Sequence, residues 1–452
     1  MTEQEIIEHL LTYFKEHFPT QINNRKDLYT LECNLLAYIM EIARKICESL
    51  LSECGTGYTK RRIEKDGTMY IAKGNDSCSI HSLFGLIEKK HARYVPEDDK
   101  EAACRTWYPL DAQIGIEEGH TPACHYFLTL FTGNDVYGES VGRFNEIFRP
   151  NGAGRLSLWK AQAMTNSLGL CLEEAKQEKI TQVMAGGDIP EEKPVSNMAV
   201  FIDATKTPEI VEKINENNEK KRMVQYRDAK IGSVAQIEWN DKKNEVNLKN
   251  ITHVAAVEKA DNFYERVYTE MLRRGKNNTD NPIVFVADGA SWIWDRVDSL
   301  AENRIEILDY YHASEHLAEA AKIIHGEGTE AFNEIYSRWE SMMYQGKIKR
   351  VIDELQKTEK KMRGAKRKTI KTGIKYFQTH SQRMKYDEYR KKRFPIGSGT
   401  VESACKNVVG CRMKRTGMKW SSAGMTAMLQ IRASLKSQQF KDDFEKVMLK
   451  AA

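Results

Sequence analysis

"NPIVFVADGASWIW", residues 281–294, is the stretch on which the fold turns. A short apolar run, Ile283 to Ala287, is halted by Asp288 and Gly289, and "SWIWDRVDSLAE" then takes up helical spacing. A run of that length bounded by turn-formers reads as a buried strand, and the pattern after it as a helix. Working upstream, "NMAVFID" (197–203) is a second apolar strand and also ends in an acid, Asp203. "IGSVAQIEW" and "THVAAVE" read as further strands and "NFYERVYTEMLRRG" as a helix. Downstream, "RIEILDYYHASEHL" (304–317) runs from a strand into a helix. Two or three strands followed by alternating helix and strand predict a mixed α/β sheet.

Ligands in such sheets collect beyond the carboxyl ends of strands. Asp203 and Asp288 stand there, each followed by a small residue, Ala204 or Gly289. Either Asp alone reads as a turn-capping residue. On neighbouring strands the two would converge, and like carboxylates brought together select a hard cation such as Mg²⁺ or Mn²⁺. A third acid comes from "FPIGSGTVESACKNVVGCRMKRTGMKW" (394–420), where Glu402 opens a helix after a Gly-Ser-Gly turn. Three carboxylates can hold two metals about 4 Å apart, the arrangement of two-metal phosphoryl transfer. From Lys406 to Lys419 the same stretch carries five cations, Lys406, Arg412, Lys414, Arg415 and Lys419, and no acid, as a surface holding phosphates would. Trp292, Trp294 and Trp420 could stack on an unpaired base or pack in the core.

Within "DYYHASEHL", His312-Ala-Ser-Glu315-His316 matches the H-x-x-E-H zinc-protease pattern. Five residues make a loose pattern. The segment lies at the start of an αβ step, with Asp309 three residues ahead, and a polar helix start is the better reading.

The chain has 452 residues, enough for two or three domains, with 29% charged and 41% hydrophobic residues. The predicted division is a helical and small-β region over 1–120 and a helical region over 121–184. A polar linker at 185–197 leads to an α/β core over 198–314, a basic helical region over 315–393, and C-terminal helices with Glu402 over 394–452. In the first region "TMYIAKG" and "FGLIEKKHARYV" predict a hairpin. In the second, "ESVGRFNEIFRPNGAGRLSLWKAQAMTNSLG" allows a helix-turn-helix, with two ordinary packed helices as the alternative. Between Lys347 and Arg393 there are 18 Lys or Arg against five acids, although the net charge is only +5. Such a run is a solvated helical face or a polyanion-binding surface. Nine scattered Cys suit free thiols in a reducing compartment. No apolar run reaches 18 residues and the N-terminus is acidic and amphipathic. The expectation is a cytoplasmic protein with neither signal peptide nor membrane span.

Four blocks give the sequence a resemblance to the DDE-type transposases of bacterial insertion sequences, specifically the Kra group. They are "DATKTP" with "RDAKIG", then "ADGASWIW", then "ILDYYHASEHL", and finally "YFQTHSQRMKYDEYRKKRFPIGSGTVESACKNVVGCRMKRTGMKW". The resemblance covers roughly residues 200 to 440. Upstream it is thinner, mainly "YPLDAQIGI".

It implies a ribonuclease-H-like mixed sheet with a large all-α insertion between the second Asp and the Glu, here 114 residues apart. The family's catalytic, metal-holding acids fall on Asp203, Asp288 and Glu402. Asp309-x-x-His312 resembles a D-x-x-H motif that orients DNA or catalytic groups. Two departures stand out: Ala204 where the family has Gly, and Cys104 alone where it carries a Cys-x-x-Cys zinc ribbon. The implied activity is Mg²⁺-dependent cleavage of double-stranded DNA at inverted repeats and transfer of the freed 3′-hydroxyl into target DNA. The partners implied are terminal repeats, target DNA and a second copy of the chain. The alternatives are a domesticated, non-cleaving DNA-binding protein and a structure-specific nuclease.

Overall fold

The computed structural model describes residues 8, 11–16, 22–97, 106–150, 152, 154–214, 220–397 and 399–449. Cys104 and part of the N-terminal "IIEHLLTYF" lie outside them. The chain forms two compact units, residues 1–165 with 444–452, and residues 166–443.

In the first unit a long helix α1 (Arg25–Glu53) precedes three antiparallel strands, β1 (Arg62–Lys65), β2 (Thr68–Ser82) and β3 (Gly85–Pro96). The predicted hairpin is β2–β3, joined at Ser82↔Gly85, with a bulge between Ala72 and Asn75. Helices α2 (Pro109–Ile114), α3 (Pro122–Asn134) and α4 (Tyr137–Phe148) follow, then α5 (Leu158–Met184), which runs on into the second unit. Cys124, Leu128, Phe144, Leu156 and Met164 form the apolar centre of this unit. The 185–197 segment is tied down rather than free, since Glu192 and Val195 donate backbone bonds to the carbonyls of Arg273 and Arg274.

The second unit is a mixed α/β structure on a five-stranded sheet of β4 (Met198–Ile214), β5 (Lys220–Asn240), β6 (Glu245–Ala256), β7 (Ile283–Ala287) and β8 (Arg304–Leu308). Its order is β6-β5-β4-β7-β8. β5 is antiparallel to both neighbours, and β4, β7 and β8 run parallel. The core strands are buried on both faces, which is why they read as unbroken apolar runs. Met198, Val200, Ile202, Ile283, Phe285 and Ala287 share the face covered by α6 (Ala260–Arg273), α7 (Ser291–Trp294) and α8 (Val297–Leu300). The residues between them face the other way.

Two expectations are corrected. Asp203 does not end its strand: β4 stays paired with β5 from Asp203↔Ile231 as far as Ile214↔Lys220. What ends at Asp203 is the parallel partner, because the β4–β7 register stops at Ile202↔Ala287. Beyond that point β4 and β5 make a two-stranded arm. Pro208, which cannot donate to a ladder, sits on its open side, where Ile210 N and Trp420 O bond and Trp420 N donates to Pro208 O. The second correction concerns "SWIWDRVDSLAE", which is two single turns, α7 and α8, instead of one helix.

From Tyr310 onward the described chain is helical: α9 (Tyr310–His325), α10 (Glu330–Tyr344), α11 (Ile348–Glu359), α12 (Gly364–His380) and α13 (Tyr386–Lys391). Ile348, Val351, Ile352 and Leu355 of α11, and Ile370, Ile374 and Phe377 of α12, form the inward stripe. The lysines and arginines of both helices face solvent. A short helix α14 (Gly399–Ala404) then gives way to a π-helical turn over Cys405–Gly410, α15 (Cys411–Met413), α16 (Ser422–Lys436) and α17 (Phe440–Met448). No helix among the described residues is long and apolar enough to cross a membrane.

Candidate acidic site at the strand ends

The register sets up the site. Ile202, Ala287 and Leu308 form one row across the parallel strands, so Asp203, Asp288 and Asp309 are the next residue of each. Asp203 and Asp288 have the parity of Phe201 and Val286, so they point away from the α6–α8 face. They line one open cleft with Ala204, Asp228, Lys230, Ala260 and Trp292. α14, which carries Glu402, packs on β4 and β5.

Asp203 is held from two sides. Its Oδ1 accepts from the Ala204 amide at 2.6 Å and its Oδ2 from the Cys405 thiol at 3.1 Å. Burial raises its pKa above the ordinary 3.8; the Cys405 and Ala204 bonds oppose this, and the nearby Asp288 charge adds to it. Glu402 is exposed and its pKa is also raised, by partial burial first and then by Asp309, Glu315 and Asp203. Asp288 Oδ1 accepts from the Ala290 amide at 2.9 Å, and Trp294 Nε1 donates to its carbonyl at 2.6 Å.

Asp309 plays a different part. It is fully buried and caps α9, accepting from the Tyr311 and His312 amides at 2.6 and 3.0 Å. His312 lies one turn up, 3.6 Å from the Glu315 carboxylate. The His316 ring lies tilted against that of Tyr376, centroids 4.0 Å apart, and burial lowers its pKa. Tyr376 closes over Gly289, where an added Cβ would lie 2.2 Å from its ring. Of the H-x-x-E-H triple only His316 packs against Tyr376, while Glu315 is exposed. Among the described residues no three His, Cys, Asp or Glu side chains converge as a metal cluster. The donor set of Asp203, Asp288 and Glu402 is nonetheless all carboxylate, the chemistry that suits a hard divalent ion.

Of the cations singled out by sequence, Lys406, Lys414, Arg415 and Lys419 are exposed. Lys414 Nζ donates to Thr205 Oγ1 at 2.5 Å, beside the acids, and Arg415 Nε donates to the Cys411 carbonyl at 2.9 Å. Arg412 is corrected: it is fully buried, with its guanidinium 5.2 Å over the Trp420 ring. Trp294 and Trp420 are core residues, and Trp292 alone reaches the cleft, with Lys230 Nζ 5.4 Å above its ring.

Sequence reasoning missed Cys405, Lys230 and Arg432. Arg432, on α16, donates to the carbonyls of Asn407 and Val408 within the π turn. Burial, and then the Arg412 charge, bring its pKa down to about 10. Arg432 thus braces, through two of its carbonyls, the widened turn that carries Cys405 to Asp203. Nothing in the periodicity of "ESACKNVVGC" signals that turn.

No curated protein matches the chain. Residues 172–446, more than half its length, match the sequence profile of UPF0236, described as an uncharacterised protein family, and the chain belongs to that family.

Proposed function

We propose that the protein is a metal-dependent DNA-cleaving and strand-transferring enzyme, a DDE-type transposase with a ribonuclease-H-like catalytic core. The observation that carries this reading is the placement of Asp203 and Asp288 on adjacent parallel strands, in one cleft, with the Glu402 helix packed on β4 and its other neighbour β5. The sheet order, with only the second of its five strands reversed, and the helical segment between Asp288 and Glu402 support it further.

Asp203, Asp288 and Glu402 would hold the divalent ions, and Asp203 would give up the Cys405 thiol bond in doing so. Bound there, such ions supply an activated oxygen nucleophile and stabilise the leaving oxygen of an in-line phosphoryl transfer. Lys406, Lys414 and Lys419 would hold the phosphates of the duplex against the acids as mobile point charges, and Arg415 as a planar fork. Trp292, backed by Lys230, offers a ring face on which a displaced base can stack. Asp309 fixes the first turn of α9 and so the placement of His312.

The test is nicking of supercoiled plasmid by the purified full chain in Mg²⁺ or Mn²⁺. Glu402→Gln, Asp203→Asn and Asp288→Asn should each abolish it while DNA binding persists. Unchanged nicking by Glu402→Gln would refute the assignment. Joining of a 3′-hydroxyl end to plasmid separates a transposase from a hydrolytic nuclease, which gives nicking alone.

A further inference from the structure

Positive charge also gathers at the far end of the sheet from the acids. A cavity of about 320 Å³ opens beside the edge strand β6, and four cations line it, Lys193, Lys249, Arg274 and Lys436, with no acid among the described residues. Lys249 is in register with Gln236 of β5, and Gln236 with Met198 of β4, five residues before Asp203. At strand spacing that is roughly 16 Å down the sheet from the acidic cleft, and two strands across.

Two helices end here, α6 just before Arg274 and α16 at Lys436, and helix C-termini favour cations. That explains why cations are present, but not how Arg274 is placed. It is 0% exposed, and its guanidinium turns to β6. Nη1 donates to Thr252 Oγ1 at 3.1 Å and Nη2 to the Asn250 carbonyl at 2.7 Å. Both partners are neutral, and Nε has none among the described residues. Glu270, the acid whose charge it feels, is occupied by Arg273 at 2.6 and 2.8 Å and by the Thr252 hydroxyl. A buried charge without a counter-ion is costly, and burial lowers the pKa of Arg274. Of the lysines, Lys249 is paired with Glu238 at 2.6 Å. Lys193 and Lys436 are exposed on the cavity wall, with no ion pair among the described residues. Three positive charges therefore surround one hollow with nothing to balance them.

Charge sets the class of ligand. A carboxylate or a phosphodiester brings one negative charge, whereas a terminal phosphate carries close to two near neutral pH, with three acceptor oxygens. Lys193 and Lys436 are flexible point charges that can close on such a group, and Arg274 adds its field from behind the wall. The volume stands at the low end of small-molecule sites, about 300–1,000 Å³. A duplex is convex and would meet only the rim.

We infer that this cavity binds a terminal phosphate group, as the free ion or as a monoester of a small molecule, between Lys193 and Lys436 and over Arg274. Nothing in this depends on the chemistry of the acidic cleft.

Isothermal titration of the full chain should show saturable binding of ribose 5-phosphate at one site, and none of ribose. Inorganic phosphate should compete for that site; equal affinity would identify the free ion as the ligand, and weaker affinity the monoester. Lys193→Gln/Lys436→Gln should weaken binding at least roughly tenfold, the effect of losing one charge-assisted hydrogen bond. Both side chains are exposed, so the thermal unfolding midpoint of that variant should hold. Lys366→Glu/Arg367→Glu/Lys371→Glu, on α12, should bind as the wild type does. Absence of saturable binding by either phosphate overturns the inference, as does a Lys193/Lys436 variant with unchanged affinity. Equal loss in the α12 variant would place the anion on the general basic surface and overturn it too. So would displacement of ribose 5-phosphate by a duplex without terminal phosphates, which would give the cavity to the DNA backbone.

Discussion

Asp203 is a carboxylate placed where its charge is costly. A carboxyl whose folded-state pKa lies above its unfolded value holds its proton more tightly in the folded chain. The stability this confers is present at low pH and is lost as pH rises from 3.8 through the folded value. At neutral pH, without metal, Asp203→Asn should therefore raise the melting temperature by a few degrees, read by calorimetry, although on the proposed reading it should abolish cleavage. Mg²⁺ or Mn²⁺ should raise the melting temperature of the wild type and leave that of the Asn variant unmoved, because a ligand of the folded state stabilises it by mass action. On the same reading, the raised pKa values of Asp203 and Glu402 should also set the acid limb of activity. Cleavage should then fall away as pH drops through those raised values and protons displace the metal, and higher Mn²⁺ should shift that limb downward. Arg432→Met should lower both stability and activity, since it strips the π turn of the donors to Asn407 and Val408.

Elements explain what could be foreseen and what could not. β7, β8 and the helical run that follows them come from apolar periodicity and turn residues, whereas the pattern marks β6 only from Thr252 and the strand in fact begins at Glu245. The distal half of β4 was illegible because "TKTPEIVEKI" contains a proline and four charges, which read as loop. It is extended because β5 pairs with all of it, a long-range interaction that overrides local preference. Arg412 read as surface on charge alone, and only the fold reveals the Trp420 ring beneath it. The packing of α5 on α16 tests how tightly elements are set. A Cβ on Gly169 would meet the Ala427 backbone at 2.4 Å, and backbone cannot rotate aside. Gly169→Ala should cost about 1–3 kcal/mol in urea unfolding, the usual penalty of overpacking.

At the scale of the whole molecule, charge is arranged rather than accumulated. The net +5 conceals a stretch with 18 cations against five acids, eight of the cations turned to solvent on α11 and α12. Binding of random-sequence duplex should weaken steeply with salt, and Lys366→Glu/Arg367→Glu/Lys371→Glu should reduce the slope of log affinity against log salt, by about 0.9 for each phosphate that is no longer neutralised. An unchanged slope would remove α12 from the duplex path.

β4 gives the molecule a mechanical linkage. One unbroken strand is both the floor under Asp203 and the shaft of the arm that reaches Ile214, and the Trp420 backbone clamps it between them. A strand has no hinge along its paired length. Whatever tilts the arm must therefore either work against that clamp or carry the carboxylate with it, so a force applied at the tip is felt as displacement at the acid.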